Sequence, residues 1–138
     1  MEEIENEYVK YWFENGVLIN ELKKPVHITL EVMVELIELR HQISNNKHQY
    51  WCMDGTKVLS VNKEARDYAA KYGQDFIYAN AAIINSHLTK AIFNAFMILK
   101  KPEIPFLFFT KKEKAIEWLL EIKAKKEARL IVLKNVSF

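Results

Sequence analysis

Cysteine, glycine and proline are scarce in this chain: its 138 residues include one, three and three of them. Each scarcity excludes something. A lone cysteine, Cys52, cannot form an internal disulfide, and a chain of this length buries roughly two-thirds of its unfolded surface without such a staple. Gly16, Gly55 and Gly73 lie too far apart to build a glycine-rich phosphate loop. No apolar run approaches the roughly 20 residues that a membrane span needs. The opening Met1–Glu7 is acidic, the opposite of a secretory or transit segment. With the unpaired thiol, this points to a reducing, cytoplasmic compartment. His27, His41, His48 and His87 are scattered without zinc-site spacing, so neither metal nor cofactor is expected.

What remains is an ordinary globular balance, 50% hydrophobic and 28% charged, in the size range of one domain. Acidic residues dominate the first third of the chain and basic residues the last. A basic end attracts nucleic acid or anionic lipid, but Lys123, Lys125 and Lys126 also suit the negative end of a helix dipole. We take the second reading. Tyr8, Tyr11, Trp12 and Phe13 read as hairpin packing rather than as a base-stacking platform, so no nucleic-acid partner is expected.

The organisation follows from punctuation and periodicity. Tyr8–Phe13 and Val17–Leu22 are rich in aromatic and β-branched residues and flank Asn15-Gly16, a pair suited to a tight hairpin turn. Pro25 breaks the second strand. Thr29 is an N-cap candidate for a helix with Met33, Leu36, Ile37 and Ile43 at helical spacing, ended by Asn45-Asn46. His48–Met53 is a short strand, and a loop then leads to Asn62, a second N-cap. Ala65, Tyr68, Ala69 and Tyr72 mark one face of the next helix, which Gly73 stops. Phe76–Ile84 is a buried strand, and Ser86 opens a third helix carrying Leu88, Ala91, Ile92, Ala95 and Leu99. Pro102 and Pro105 bracket a link to the strand Pro105–Phe109. Thr110 and Glu113 fit a capping box for a last helix through Ile116, Trp118, Leu119 and Ile122. The order predicts an α/β fold with four helices and a mixed sheet of about five strands, parallel except at the N-terminal antiparallel β-hairpin. Residues 1–126 form the domain. Residues 127–138 are an extension whose run Leu130–Leu133 suits a short edge strand, pairing with its own sheet or with a neighbour's in a homodimer.

The chain resembles a family of small bacterial proteins of unknown function with a STAS-like fold, the fold of anti-sigma-factor antagonists. The resemblance rests on Phe13–Leu18, Met53-Asp54-Gly55, Glu64–Tyr68, Ala79–Ser86, Asn94, Lys101–Pro105 and Ala115–Leu119. It spans roughly residues 8 to 122. Lipid-transfer domains of the CRAL-TRIO type are distantly similar in shape. The resemblance implies a phosphorylatable serine in an Asp-Ser-Ser-Gly-like motif where the third strand meets the second helix. This chain has Asp54-Gly55-Thr56 there, and Thr56 and Ser60 are the nearby hydroxyls.

Six residues stand out as a ligand or partner surface: Asp54, Thr56, Ser60, Ser86, Phe93 and Met97. Asp54 ends a strand, where ligands of parallel α/β sheets gather, yet Asp-Gly is also strong turn chemistry. A receiver-type phosphoacceptor needs an acidic pair after the first strand, which is missing. Ser86 could hold an anion at a helix N-terminus or serve as an ordinary cap. Phe93 and Met97 extend the apolar face of the third helix, as deeper core or as a contact surface. Cys52, inside a strand, reads as a small hydrophobe rather than a nucleophile. No catalytic constellation emerges. The sequence therefore predicts a non-enzymatic regulatory or protein-interaction module with an unidentified protein partner, and alternatively a carrier of a small apolar molecule or lipid.

Overall fold

The computed structural model describes residues 3–99 and 103–136, apart from the side chains of residues 96–99 and 136. Asn15 and Gly16 have φ of 51° and 80°, the positive values that a two-residue hairpin turn demands. They join β2 (Val9–Glu14) to β3 (Val17–Leu22) in an antiparallel pair that starts at Glu14 opposite Val17. A short strand ahead of them, β1 (Glu3–Glu5), adds to the free side of β2. Charged at both ends, it gives no hydrophobic signal in the sequence.

Next come β4 (Val26–Ile28), α1 (Leu30–Ser44), β5 (Gln49–Asp54), β6 (Val58–Val61) and α2 (Lys63–Tyr72). β7 (Ile77–Ile83), α3 (His87–Leu99), β8 (Phe106–Phe109) and α4 (Lys112–Val136) complete the chain. The caps expected at Thr29 and Asn62 are in place, accepting from Val32 N and Ala65 N. Asn45 closes α1 in the left-handed conformation. β3, β5, β7 and β8 pair in parallel, so the main sheet runs β1-β2-β3-β5-β7-β8. The expectation of about five strands, parallel beyond an N-terminal hairpin, holds with β1 added.

Three expectations need correction. The loop before Asn62 contains β6, which pairs in parallel with β4 as a separate two-stranded sheet. The last helix starts one residue later than a Thr110 cap allows, because Ala115 N bonds Lys111 O. Residues 127–136 are not an edge strand, and the boundary at 126/127 falls inside α4, which runs unbroken to Val136. Ala124 to Arg129 contains strong helix formers and neither glycine nor proline, so an established helix propagates into the aliphatic run.

Helices cover both faces of the sheet. On one face, Val9, Tyr11, Leu18, Leu22, Trp51 and Ile77 pack with α1, α2 and the β4–β6 pair. On the other, Val17, Ile19, Cys52, Ala79, Ala81 and Ile83 meet Ala115 and Leu119 of α4. Ala79 and Ala81 of β7 are fully buried and small, which lets α4 seat closely on the sheet.

Candidate functional site

The first of these layers is incompletely filled. A partly open cavity of about 140 Å³ lies between the sheet and helices α1, α2 and α3. Its floor is Asn20 of β3, Trp51 and Met53 of β5, Asn80 of β7 and Phe106 of β8. Met33, Leu36 and Ile37 of α1, Ala69 and Ala70 of α2, and Phe93 of α3 form its walls. Asp54 and Gly55 lie where β5 ends.

Two asparagines stand on this otherwise apolar floor. Asn20 Oδ1 accepts from the Trp51 indole Nε1 at 2.8 Å. Asn80 is 3% exposed, and its Oδ1 has no hydrogen-bond partner among the described residues. Leaving a buried acceptor unsatisfied costs about 1–3 kcal/mol. Neighbouring polar groups are better matched. Tyr11 donates its hydroxyl to Leu36 O at 3.0 Å, and burial raises its pKa far above the ordinary phenol value.

Of the residues singled out from the sequence, the cavity gathers Asp54 and Phe93. Asp54 Oδ1 accepts from Thr56 N at 2.9 Å and Thr56 Oγ1 at 2.7 Å. Both Asp54 and Thr56 are therefore engaged in a local turn, the plainer of the two readings open for Asp54. Phe93 packs tightly on Gly55: a Cβ on that glycine would sit 2.4 Å from Phe93 Cε2. Ser60 lies elsewhere, on β6, with its Oγ 2.6 Å from His27 Nδ1 of β4. Ser86 caps α3, its Oγ accepting from Thr89 N at 3.1 Å, so its own side chain occupies one of the free donors. The Met97 side chain lies outside the described residues.

Cys52 is fully buried, and burial pushes its thiol pKa up to about 12. It stays protonated at neutral pH, as a small hydrophobe rather than a nucleophile. Among the described residues, no three histidine, cysteine, aspartate or glutamate side chains come together to hold a metal.

Sequence reasoning missed three features here. Asn80 is hidden in the apolar run around it, and only its break with the buried-strand pattern could have marked it. Arg40 is 1% exposed and has no carboxylate partner among the described residues. Its guanidinium donates to Asp75 O at 2.7 Å and Gly73 O at 3.2 Å and lies 4.7 Å from the Trp51 ring centroid. Its helical spacing from Leu36 and Ile37 places it on the buried stripe, which the sequence does show. Phe76 has φ of 61°, a rare conformation for a bulky residue. It packs edge-on against His41 and His48. Burial and the Arg40 charge both lower the His41 pKa, so its ring is neutral at pH 7.

Comparison with known proteins agrees with this architecture. Residues 11–123 match a family described as a domain of unknown function, DUF7793. No curated protein matches the chain. Among solved structures, it is similar to an uncharacterised protein of the DUF3478 family with a SpoIIAA-like fold from Shewanella loihica PV-4. That match has a TM-score of 0.59 and 17% identity, covering 84% of this chain and 97% of the other. At that identity the likeness speaks for the fold, which is STAS-like as the sequence resemblance implies.

Proposed function

The chain belongs to the DUF7793 family of domains of unknown function, and from that premise we propose that it is a non-enzymatic regulatory or protein-interaction module. One observation carries this reading. The distal part of α4 presents Leu130, Ile131, Val132 and Leu133, each 52–60% exposed. Large aliphatic side chains bunched on one exposed turn mark a contact surface more often than a solvated one. Arg129 and Lys134 flank them, which suits an apolar partner surface rimmed by acids. The protonated, buried Cys52 and the turn-bound Asp54 are consistent with a role without covalent chemistry. A free thiol also fits a reducing, cytoplasmic setting.

The test compares the full chain with Leu130→Asp/Leu133→Asp, expressed in the source cell and purified gently. The expected result is a stoichiometric protein partner on the native chain and its loss from the variant at unchanged melting temperature. A native chain that elutes alone, with a robust hit in an unbiased activity screen, overturns the reading.

A second reading, a carrier of a small molecule, is favoured by the cavity over Asn80. At about 140 Å³ it has room for about one ring. Ordinary ligand pockets run to roughly 300–1,000 Å³, so the space favours a small guest over a long lipid chain.

A further inference from the structure

We propose that the projecting end of α4, residues 127–136, docks the domain on an anionic lipid bilayer, its apolar turn entering the acyl boundary and its basic residues meeting the headgroups. The proposal goes beyond the protein-interaction reading and shares with it the premise that this helix end is a contact surface. The first observation is where the helix leaves the domain. Up to Lys126 it lies on the sheet: Leu119 is fully buried, and the Lys126 ammonium sits 3.3 Å from the centroid of the Tyr78 ring. From Glu127 to Asn135 every residue is exposed.

The second observation is the shape of the apolar turn. Leu130, Ile131, Val132 and Leu133 follow one another directly, each 52–60% exposed. Successive residues of a helix stand about 100° apart, so these span roughly 300° of its circumference. A flat protein face covers one stripe of a helix, whereas a helix apolar all round belongs inside a core or in lipid. The third observation is charge. Lys123, Lys125, Lys126, Arg129 and Lys134 adjoin that turn, against Glu127 as the acid of the stretch. The helix dipole, the reason the sequence suggests for Lys123, Lys125 and Lys126, does not account for them. α4 runs on to Val136, and the dipole acts within its last turn. Among the described residues, Lys125, Arg129 and Lys134 have no carboxylate partner. A second copy of the chain would bring the same cations together, whereas anionic headgroups neutralise them. The long stems of Arg129 and Lys134 let their charged ends return to the headgroups while the turn between them is immersed. Docking is peripheral, since among the described residues no helix is long and apolar enough to cross a membrane. Lipid and protein exclude each other on these side chains, so a protein partner that covers them would release the domain from a membrane.

The experiment floats the full chain with vesicles of phosphatidylcholine alone, or of phosphatidylcholine mixed with an equal part of phosphatidylglycerol. We expect binding to the mixed vesicles and little to the neutral ones. Each Lys or Arg near an anionic surface strengthens binding about fivefold, so Lys125→Gln/Arg129→Gln/Lys134→Gln weakens it on the order of a hundredfold. Leu130→Asp/Leu133→Asp abolishes it, and both variants keep the native melting temperature. Ile131→Cys carrying an environment-sensitive fluorophore shifts its emission to the blue on the mixed vesicles and not on heparin, a soluble polyanion. The buried, protonated Cys52 does not compete for the label. No binding to the mixed vesicles, equal binding to both kinds, binding retained by the aspartate variant, or an unshifted emission overturns the proposal. A chain that ignores vesicles yet loses a stoichiometric protein partner in the aspartate variant overturns it and leaves the protein-interaction reading standing. Vesicle binding with no protein partner supports it and removes that reading.

Discussion

Arg40 ties α1 to the α2–β7 connection, and its removal gives the sharpest test of how the cavity wall is held. The Arg40→Ala variant loses two charge-assisted hydrogen bonds, to Asp75 O and Gly73 O, and the stacking on Trp51. Hydrogen bonds to charged groups contribute about 1.5–3 kcal/mol each. The guanidinium also costs free energy to desolvate, which is why its pKa is lowered, so the low end of that range applies. Two such bonds give a net loss of about 3 kcal/mol. For a domain of this size that lowers the melting temperature by roughly 10 °C. Urea unfolding followed by circular dichroism, with tryptophan fluorescence as a second probe, measures it. Arg40→Lys keeps the charge but cannot span two carbonyls as a planar fork, so it recovers less than half of the loss. A destabilisation below about 1 kcal/mol in Arg40→Ala would refute the reasoning, because the two carbonyls would then be satisfied as well by water.

Four further outcomes are expected. Leu119→Ala, at a fully buried position between α4 and β7, costs about 2–5 kcal/mol in chemical denaturation. Gly55→Ala forces Phe93 off its seat and costs about 1–3 kcal/mol, with changed NMR shifts along α3. Cys52 resists thiol reagents at pH 8 until the chain unfolds. Its folded pKa of about 12 lies above the ordinary 9.0, so its contribution to stability is complete below pH 9 and is lost as pH rises toward 12. Cys52→Ala therefore shows a shallower alkaline loss of stability than the native chain. Truncation after residue 126 leaves the melting temperature nearly unchanged, because Leu130–Leu133 are more than half exposed.

The elements that local chemistry dictates are legible in the sequence. Asn15-Gly16 specifies the hairpin, and Thr29, Asn62 and Ser86 place three helix starts, because each signal acts within a few residues. Features that depend on distant partners are not. Val26–Ile28 is three residues long and becomes a strand only because Val58–Val61 lies beside it. The run Leu130–Leu133 has strong β propensity, but the helix that enters it from Lys112 decides the outcome. The same distinction governs the site. Asp54 and Phe93 reach the cavity as strand-end and helix-face logic suggests, whereas Ser60 leaves it for His27 through the unforeseen β4–β6 pairing. Asn80 matters because nothing bonds its oxygen, a property that exists only after folding.

The order of strands has a consequence for self-association. An open sheet exposes a row of unpaired backbone groups at each margin, and a flat apolar margin is a template for aggregation. Here one margin is β1, three residues long with Glu3 and Glu5 at its ends. The other is β8, whose Phe-Leu-Phe-Phe is a far more dangerous sequence. It is short, preceded by Pro105, which offers no backbone donor, and followed by Lys111 and Lys112. Proline and like charges on either side of an apolar strand act as gatekeepers against stacking of one copy on another. Pro105 thus guards the sheet edge as well as punctuating the chain. Replacing Pro105 and Lys111 together, with Lys112 left on Glu14 and the Trp12 ring, would raise the tendency of concentrated protein to form fibrils.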